Sequence, residues 1–314
     1  MFTNKDYILA IYEEGSFSKA AQKLYISQPS LSATVKRLEE KLTLPIFNRS
    51  TTPISLTDFG KEYIKYALEF EKREQDFSKF IFDTKGLLSG KVRIGGSSLF
   101  SSFMLPEMIF EFKKQYPEIL FEISEGNTKD LINKTNDGEL DIIIDNTVIN
   151  DEHILATEYT NECIILAVPM GLEINERLKN YRLSSNDIKN NRHFDKIFLV
   201  APNKFKDETF ILLNAENDTG KRAYKIFKKH KINPKIAFHL DQQVTAFNVS
   251  ITGMGISFVS DTLIKNMDTE PPLYYYILND SEVHRKVYFY TKGDRYLSVA
   301  CKKFIEFSIN NIKD

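Results

Sequence analysis

Residues 16–38 read SFSKAAQKLYISQPSLSATVKRL, and how they divide into helices decides the fold of the N-terminal part. Ser18 is a natural N-cap for a short helix containing Ala20, Ala21 and Leu24, and its two alanines let a neighbouring backbone approach closely. Tyr25-Ile26 leaves room only for a tight link. Ser27 then caps a longer helix with Pro29 in its first turn, where a missing N–H costs little. Leu31, Val35, Leu38 and Leu42 recur at i, i+4, i+7 and i+11 and give that helix one buried stripe. Gln28, Pro29, Ser32, Ala33, Lys36 and Arg37 take the opposite face. Two tightly joined helices, the second polar at its start and basic further on, form a helix-turn-helix layout. There the start of the second helix meets base edges in the major groove.

Upstream, Thr3 can cap a first helix whose Ile8, Ile11 and Tyr12 share one face, and Glu13-Glu14-Gly15-Ser16 ends it. Downstream, residues 44–57 hold two short extended stretches around a polar Ser50-Thr51-Thr52 tip, the pattern of a β-wing. From Phe59 to Leu87 no glycine or proline interrupts the chain except Gly60 at the start and Gly86 near the end. Phe59, Tyr63, Tyr66, Phe70, Phe77, Phe80 and Leu87 follow four- and three-residue steps, with Arg73 and Thr84 filling the gaps, as in a heptad seam. Such a helix would reach about 40 Å. It cannot bury that seam alone in water, so self-association is expected. Leu88-Ser89-Gly90-Lys91 is expected to end it.

The quoted motifs point to a family. Gly15-Ser16-Phe17-Ser18-Lys19-Ala20-Ala21, Ser27-Gln28-Pro29-Ser30-Leu31-Ser32, Lys36-Arg37-Leu38-Glu39 and Leu56-Thr57-Asp58-Phe59-Gly60 resemble the N-terminal signature of LysR-type transcriptional regulators. The match runs without a gap over about sixty residues. Ala33 departs from it, standing where members commonly carry arginine. The resemblance implies that Ser18, Ser27, Gln28, Pro29, Ser30, Ser32 and Ala33 lie against DNA. Lys36, Arg37, Arg49 and Thr51 join them, the basic side chains on phosphates. It also implies a linker helix pairing two heads, as a dimer or a tetramer, and a double-stranded DNA operator as partner.

From Val92 strand and helix signals alternate: strands at Val92–Gly95, Ile119–Ile123 and Leu140–Ile144, with helices near Phe103–Phe112 and Leu131–Asn136 between them. A second set follows, with strands at Ile164–Val168, Phe210–Leu213, Ile236–Leu240 and Gly255–Val259. Late strands at Leu273–Leu278 and Lys286–Tyr290 precede a last helix from about Tyr296. Residues 171–209 look irregular. The expected fold is an N-terminal all-α winged helix-turn-helix with a long linker helix. A C-terminal α/β two-lobed effector domain resembling periplasmic binding proteins follows. The expected boundaries are 1–58, 59–90 and 91–314. Lobe I would take about 91–166 and 268–314, and lobe II about 167–267.

Ligands of open α/β sheets sit beyond C-terminal strand ends, near helix N-termini. The first such end here is Gly95-Gly96-Ser97-Ser98, followed by Gly126-Asn127-Thr128, Asp145-Asn146 and Asn217-Asp218-Thr219-Gly220. By resemblance, Ser97, Thr128, Asn146 and Thr219 line the effector pocket, and Ser98 adds a second hydroxyl. Hydroxyls, an amide and helix N-termini suit a small polar or carboxylate metabolite. None of these loops carries an arginine, so a strong clamp on an anion would have to come from elsewhere in the fold.

Bulk properties exclude other classes. No apolar run approaches the roughly 20 residues of a membrane helix. Asp6, Glu13 and Glu14 near the start do not fit a secretory signal, so the expected compartment is the cytoplasm. Net charge is −1, and residues 1–60 hold seven basic groups against six acidic ones, so composition alone does not reveal a nucleic-acid partner. Cys163 and Cys301 stand far apart and the five histidines are scattered singly, which argues against a zinc site or any other cofactor. Metalloprotease, P-loop, serine-hydrolase and dinucleotide motifs are all missing, and GLLSGK at 86–91 has the wrong spacing for a phosphate loop. An enzyme is not expected. A thiol redox sensor would need a reactive cysteine, and Cys163 lies in an apolar strand where low reactivity is expected.

Overall fold

Ile8, Leu9 and Ile11 of α1 (Lys5–Glu14), Ala20 and Ala21 of α2 (Phe17–Lys23) and Leu31, Val35 and Leu38 of α3 (Gln28–Leu42) close on one another as a single core. This computed structural model describes residues 2–51, 53–84 and 90–312. The chain divides into two compact units, Met1–Ile81 and Phe82–Asp314. Two cap assignments differ from expectation. α2 begins at Phe17, so its cap is Ser16, whose hydroxyl accepts from the Lys19 N–H, and Ser18 lies exposed in the first turn. The reason is Phe17, whose buried ring meets Phe47 edge-on at 5.8 Å and must start the helix to get there. α1 is preceded by Asn4, not Thr3, and no side chain caps it. Ser27 caps α3 as expected, accepting from the Ser30 N–H.

The wing is a minimal antiparallel pair, β1 (Phe47–Asn48) with β2 (Ser55–Leu56). Thr57 and Gly60 then lock it to the next helix, α4 (Asp58–Thr84). The Thr57 hydroxyl donates to the Pro45 carbonyl at 2.6 Å, and a Cβ on Gly60 would lie 2.1 Å from the Ile46 carbonyl oxygen. Only glycine permits that approach.

The seam of α4 is split rather than continuous. Phe59, Tyr63, Ile64 and Ala67 pack into the core of the head, because a unit this small cannot close its interior with three short helices. Tyr66, Phe70, Phe77 and Phe80 are 45–61% exposed. Phe2 stacks on Phe70 at 5.6 Å. Leu87, the end expected at Leu88-Ser89, and Thr52 of the wing tip lie outside the described residues.

The second unit opens with β3 (Gly90–Gly96), a π-helical turn (Phe100–Met104), α5 (Leu105–Gln115), β4 (Ile119–Glu125), α6 (Thr128–Asp137) and β5 (Ile142–Asp145). β6 (Ile154–Pro169) leads into α7 (Ile174–Arg177), α8 (Ser185–Lys189), β7 (Leu199–Val200), β8 (Thr209–Leu213), α9 (Asp218–Lys229), β9 (Lys235–Leu240) and α10 (Gln243–Ile251). β10 (Ile256–Ser260), α11 (Asp261–Lys265), β11 (Leu273–Leu278), β12 (His284–Lys292) and α12 (Val299–Asn310) complete it. Strands run in the order β4-β3-β5-β12-β6-β10-β8-β9. β3 is parallel to β4 and β5, and β8 is parallel to β9 and β10. β6 and β12 run against their neighbours and join the two groups.

β6 is the hinge of this arrangement, and it is longer than its apolar core suggests. Ile154–Cys163 pairs with β12, and Ile164–Ala167 pairs with β10. The first half escapes detection because its side chains are largely exposed and polar, whereas the second half is buried throughout. Re-entry to the first lobe also comes later than residue 268. β11 pairs with Leu166–Pro169 and with β7, so it belongs to the second lobe, and β12 makes the return at His284. Segment 171–209 is built on buried Ile174, Leu178, Leu183, Ile188, Phe198 and Phe205, which pin its short helices to the core.

Candidate functional site

On the head, Ser18, Gln28, Pro29, Ser30, Ala33, Lys36 and Arg37 are exposed, and Gln28, Pro29, Ser30, Ala33, Lys36 and Arg37 follow one another along α3. Ser27 is exposed but commits its hydroxyl to the cap. Ser32 is half-buried and receives a 3.4 Å bond from Arg49 Nη1. Arg49 also pairs with Glu39 at 2.9 Å and lies over the Phe17 ring at 5.2 Å, so its charge is partly matched at home. Glu39 in turn accepts from the Ile46 and Phe47 N–H groups, which fixes the entry to the wing. Lys36 meets Glu40 only at 3.8 Å, and both are exposed. Thr51 is exposed at the wing, where its hydroxyl donates to the Asn48 carbonyl and pairs with Ser55. Tyr25, in the link between α2 and α3, takes a left-handed φ of 55° and is 96% exposed, which sequence reading passed over.

In the second unit glycines and side-chain caps shape the strand ends. Gly220 lets the first turn of α9 sit against the end of β8: a Cβ there would meet the Asn214 and Leu213 carbonyl oxygens at 2.4 and 2.6 Å. Asn127 caps α6 by accepting from Asp130 N–H at 2.9 Å, and Asn217 caps α9 by accepting from Thr219 N–H at 2.9 Å. Thr128 donates to Asp145 at 2.8 Å, and Thr147 N–H donates to the other Asp145 oxygen at 2.7 Å. Ser98 donates to Gln242 at 2.6 Å. The Ser97 hydroxyl makes no hydrogen bond to another described residue.

Asn146 and Thr219, from different lobes, meet through residues that sequence reading missed. Asn146 donates to Glu162 Oε2 at 3.0 Å, and the same oxygen accepts from Arg285 Nε at 2.5 Å. Arg285 Nη1 donates to Thr219 Oγ1 and Asp218 Oδ2, both at 2.9 Å. Ser260 donates to the other Glu162 oxygen, and Gln243 bonds both Thr219 and the Ser260 N–H. Arg285 Nη2 is buried and has no hydrogen-bond partner. Arg285 lies on β12, outside the loops singled out from the sequence.

Burial works against the Arg285 charge, but Glu162 and Asp218 outweigh it and raise its pKa further. Burial pushes the Asp145 carboxyl up, against bonds from Thr147 and Thr128 and the pull of Arg285. A signal for Arg285 did exist: it occupies the inward phase of a strand with Val287 and Phe289, where an arginine must be paired.

The rival chemistries find little support. Cys163 and Cys301 are both buried, and burial pushes the Cys163 thiol far up. His193, expected at the surface or in a structural role, is buried and meets Asp261 at 3.0 Å. Among the described residues no cluster suits a metal ion, and no helix is long and apolar enough to cross a membrane.

Comparison with known proteins agrees with both units. The profile of the bacterial regulatory helix-turn-helix protein, lysR family, matches residues 4–61, and that of the LysR substrate binding domain matches 85–184 and 198–312. The HTH-type transcriptional regulator YcgK of Bacillus subtilis is 24% identical over 308 residues, covering 98% of this chain and 94% of its own. A probable RuBisCO transcriptional regulator of Synechocystis is 26% identical over 302 residues, 94% of this chain and 82% of its own. A full-length OxyR variant of Pseudomonas aeruginosa superposes with a TM-score of 0.69 at 19% identity, over 98% of this chain and 94% of that one. CbnR, solved in complex with its target DNA, superposes at 0.61 with 16% identity over 99% of each.

Proposed function

The chain belongs to the LysR family of bacterial helix-turn-helix transcriptional regulators, and from that premise we propose how its two units divide the work. Residues 1–58 bind duplex DNA, with α3 in the major groove. Gln28, Pro29, Ser30, Ser32 and Ala33 face base edges, while Ser18, Ser27, Lys36, Arg37, Arg49 and Thr51 hold the backbone. Residues 59–90 pair two heads through the exposed aromatics of α4, giving a homodimer or a dimer of dimers. Residues 91–314 bind the effector between the lobes, among Ser97, Ser98, Thr128, Asn146 and Thr219. DNA binding places the protein in the cytoplasm.

The effector is a small polar molecule, best a carboxylate. One observation carries this: Asn146, half-buried, and Thr219, buried, one from each lobe, belong to a single polar network beside the capped N-termini of α6 and α9. Those N-termini present backbone N–H groups and a partial positive end. A thermal-shift screen of the full chain against small carboxylates, amides and amines tests it. Carboxylates are expected to raise the melting temperature, since a ligand at 100 times its Kd adds about 2.7 kcal/mol. Stabilisation by amines alone would contradict the reading.

A further inference from the structure

The link between α2 and α3 holds a residue whose conformation and exposure are both costly. Tyr25 adopts a φ of 55°, in the left-handed region. Its N–H donates to the Gln22 carbonyl and the Ile26 N–H to the Ala21 carbonyl, so Tyr25 is the left-handed residue that closes α2. Glycine or asparagine takes such a position easily, whereas a bulky side chain is strained there. Burial would offset the strain, but Tyr25 is 96% exposed, the highest value of any large apolar residue among those described. Its side chain makes no hydrogen bond or ring contact with another described residue. Backbone strain kept with no packing to offset it marks functional positions.

We propose that Tyr25 is a DNA-backbone contact of the head, its phenol O–H donating to a phosphate oxygen of the duplex. This deepens the reading of residues 1–58 given above and rests on it. In a helix-turn-helix the first helix crosses the sugar-phosphate backbone while the start of the second enters the major groove. The turn that joins them lies over the strand between, and Tyr25 sits in that turn, two residues before Ser27, the cap of α3. Leu24 and Ile26 pack partly against the head's core, and Ser27 commits its hydroxyl to the Ser30 N–H. Tyr25 is therefore the side chain of the link left to reach outward. Tyrosine is an ordinary phosphate donor, and such a contact positions the protein without reading sequence.

A neutral donor leaves a signature that separates it from its neighbours. Lysine or arginine on a phosphate releases a counterion, and losing one lowers the dependence of affinity on salt. A phenol carries no charge and releases none, so its loss weakens binding by the same factor at every salt concentration. Loss of a base contact at Gln28 falls instead on the preferred sequence. The left-handed φ adds a second sign: replacing the ring by a residue suited to that conformation relieves strain, so the protein gains stability as it loses affinity.

The test uses the full chain and two duplexes: one selected by the wild type from a random pool, and one of the same composition with its sequence scrambled. Fluorescence anisotropy gives both affinities at several salt concentrations, and calorimetry gives the melting temperature. Tyr25→Phe removes only the hydroxyl. It is expected to weaken both duplexes alike by at least about tenfold, the worth of one hydrogen bond to a charged group. Its salt slope and melting temperature are expected to match those of wild type. Tyr25→Asn suits the left-handed turn and is expected to melt several degrees higher while binding at least as weakly as Tyr25→Phe. Undiminished affinity in Tyr25→Phe overturns the contact, whatever Tyr25→Asn does, and leaves the reading of the head standing. A loss confined to the selected duplex marks a base contact and overturns the phosphate assignment, as does a reduced salt slope. A Tyr25→Asn variant that melts no higher than wild type removes the strain on which the proposal stands. A wild type that selects no duplex from the pool overturns both readings.

Discussion

The Ser98 hydroxyl donates to the Gln242 side chain at 2.6 Å, so the end of β3 in one lobe is tied to the N-cap of α10 in the other. Ser97, beside it, has no such bond among the described residues. The two serines therefore separate by experiment. Ser98→Ala is expected to destabilise the unliganded protein by about 1 kcal/mol, the net worth of one hydrogen bond. Ser97→Ala is expected to leave stability unchanged and to weaken a bound carboxylate by ~1.5–3 kcal/mol, tenfold to hundredfold. Calorimetric melting and titration of both variants decide the matter, and equal affinity of wild type and Ser97→Ala would remove Ser97 from the site.

On the head, Gln28 stands exposed at the first position of α3, free to meet a base edge. Gln28→Ala is expected to lower discrimination between operator and non-operator duplexes by about 1–3 kcal/mol. Arg37→Ala should weaken all duplexes alike and reduce the slope of log K against log salt by about one. Arg49→Ala should do so less, since Arg49 shares its charge with Glu39. Competition binding at several salt concentrations separates these outcomes.

The exposed half of the α4 seam makes a statement about assembly. Phe70→Lys with Phe77→Lys replaces two largely exposed aromatics, of which Phe70 meets the head through the Phe2 ring. The double variant is expected to run as a monomer in light scattering while its head melts at close to the wild-type temperature. A wild-type protein that is already monomeric at micromolar concentration would contradict the pairing.

Asp261 provides a pH test of the fold. Burial pushes its carboxyl up, but His193, Lys265 and the Cys163 N–H outweigh this and bring it below the usual carboxylate range. A depressed carboxyl adds stability that is present above its unfolded pKa and lost as pH falls through the folded one. Asp261→Asn should therefore cost about 1.5–3 kcal/mol at neutral pH. The gap to wild type should close as pH falls below 3.8, the ordinary value for the group. A gap that stays constant down to pH 2 would mean that the charge contributes nothing.

How much of this was legible in the sequence follows from how local each signal is. Leu31, Val35 and Leu38 sit on the stripe that their spacing predicts, because a helix writes its buried face into a few neighbouring residues. Phe59 and Tyr63 misled, since a seam looks the same whether a second chain or the head's own core covers it. Of the proposed effector site, Ser97, Ser98, Thr128, Asn146 and Thr219 were put forward from the sequence because strand ends, caps and a family signature are local features. Arg285 was not, because its partners Glu162 and Asp218 lie 123 and 67 residues away and only the folded sheet brings them together.

If effector binding and DNA reading are coupled within one molecule, a single titration reveals it. Operator affinity of the full chain is measured with and without a saturating carboxylate that raises its melting temperature. Coupling predicts sequence-selective binding whose Kd changes at least about fivefold, the lower end of ordinary coupling between sites. A stabilising carboxylate that leaves operator affinity untouched, or duplex binding with no preference for sequence, would contradict it.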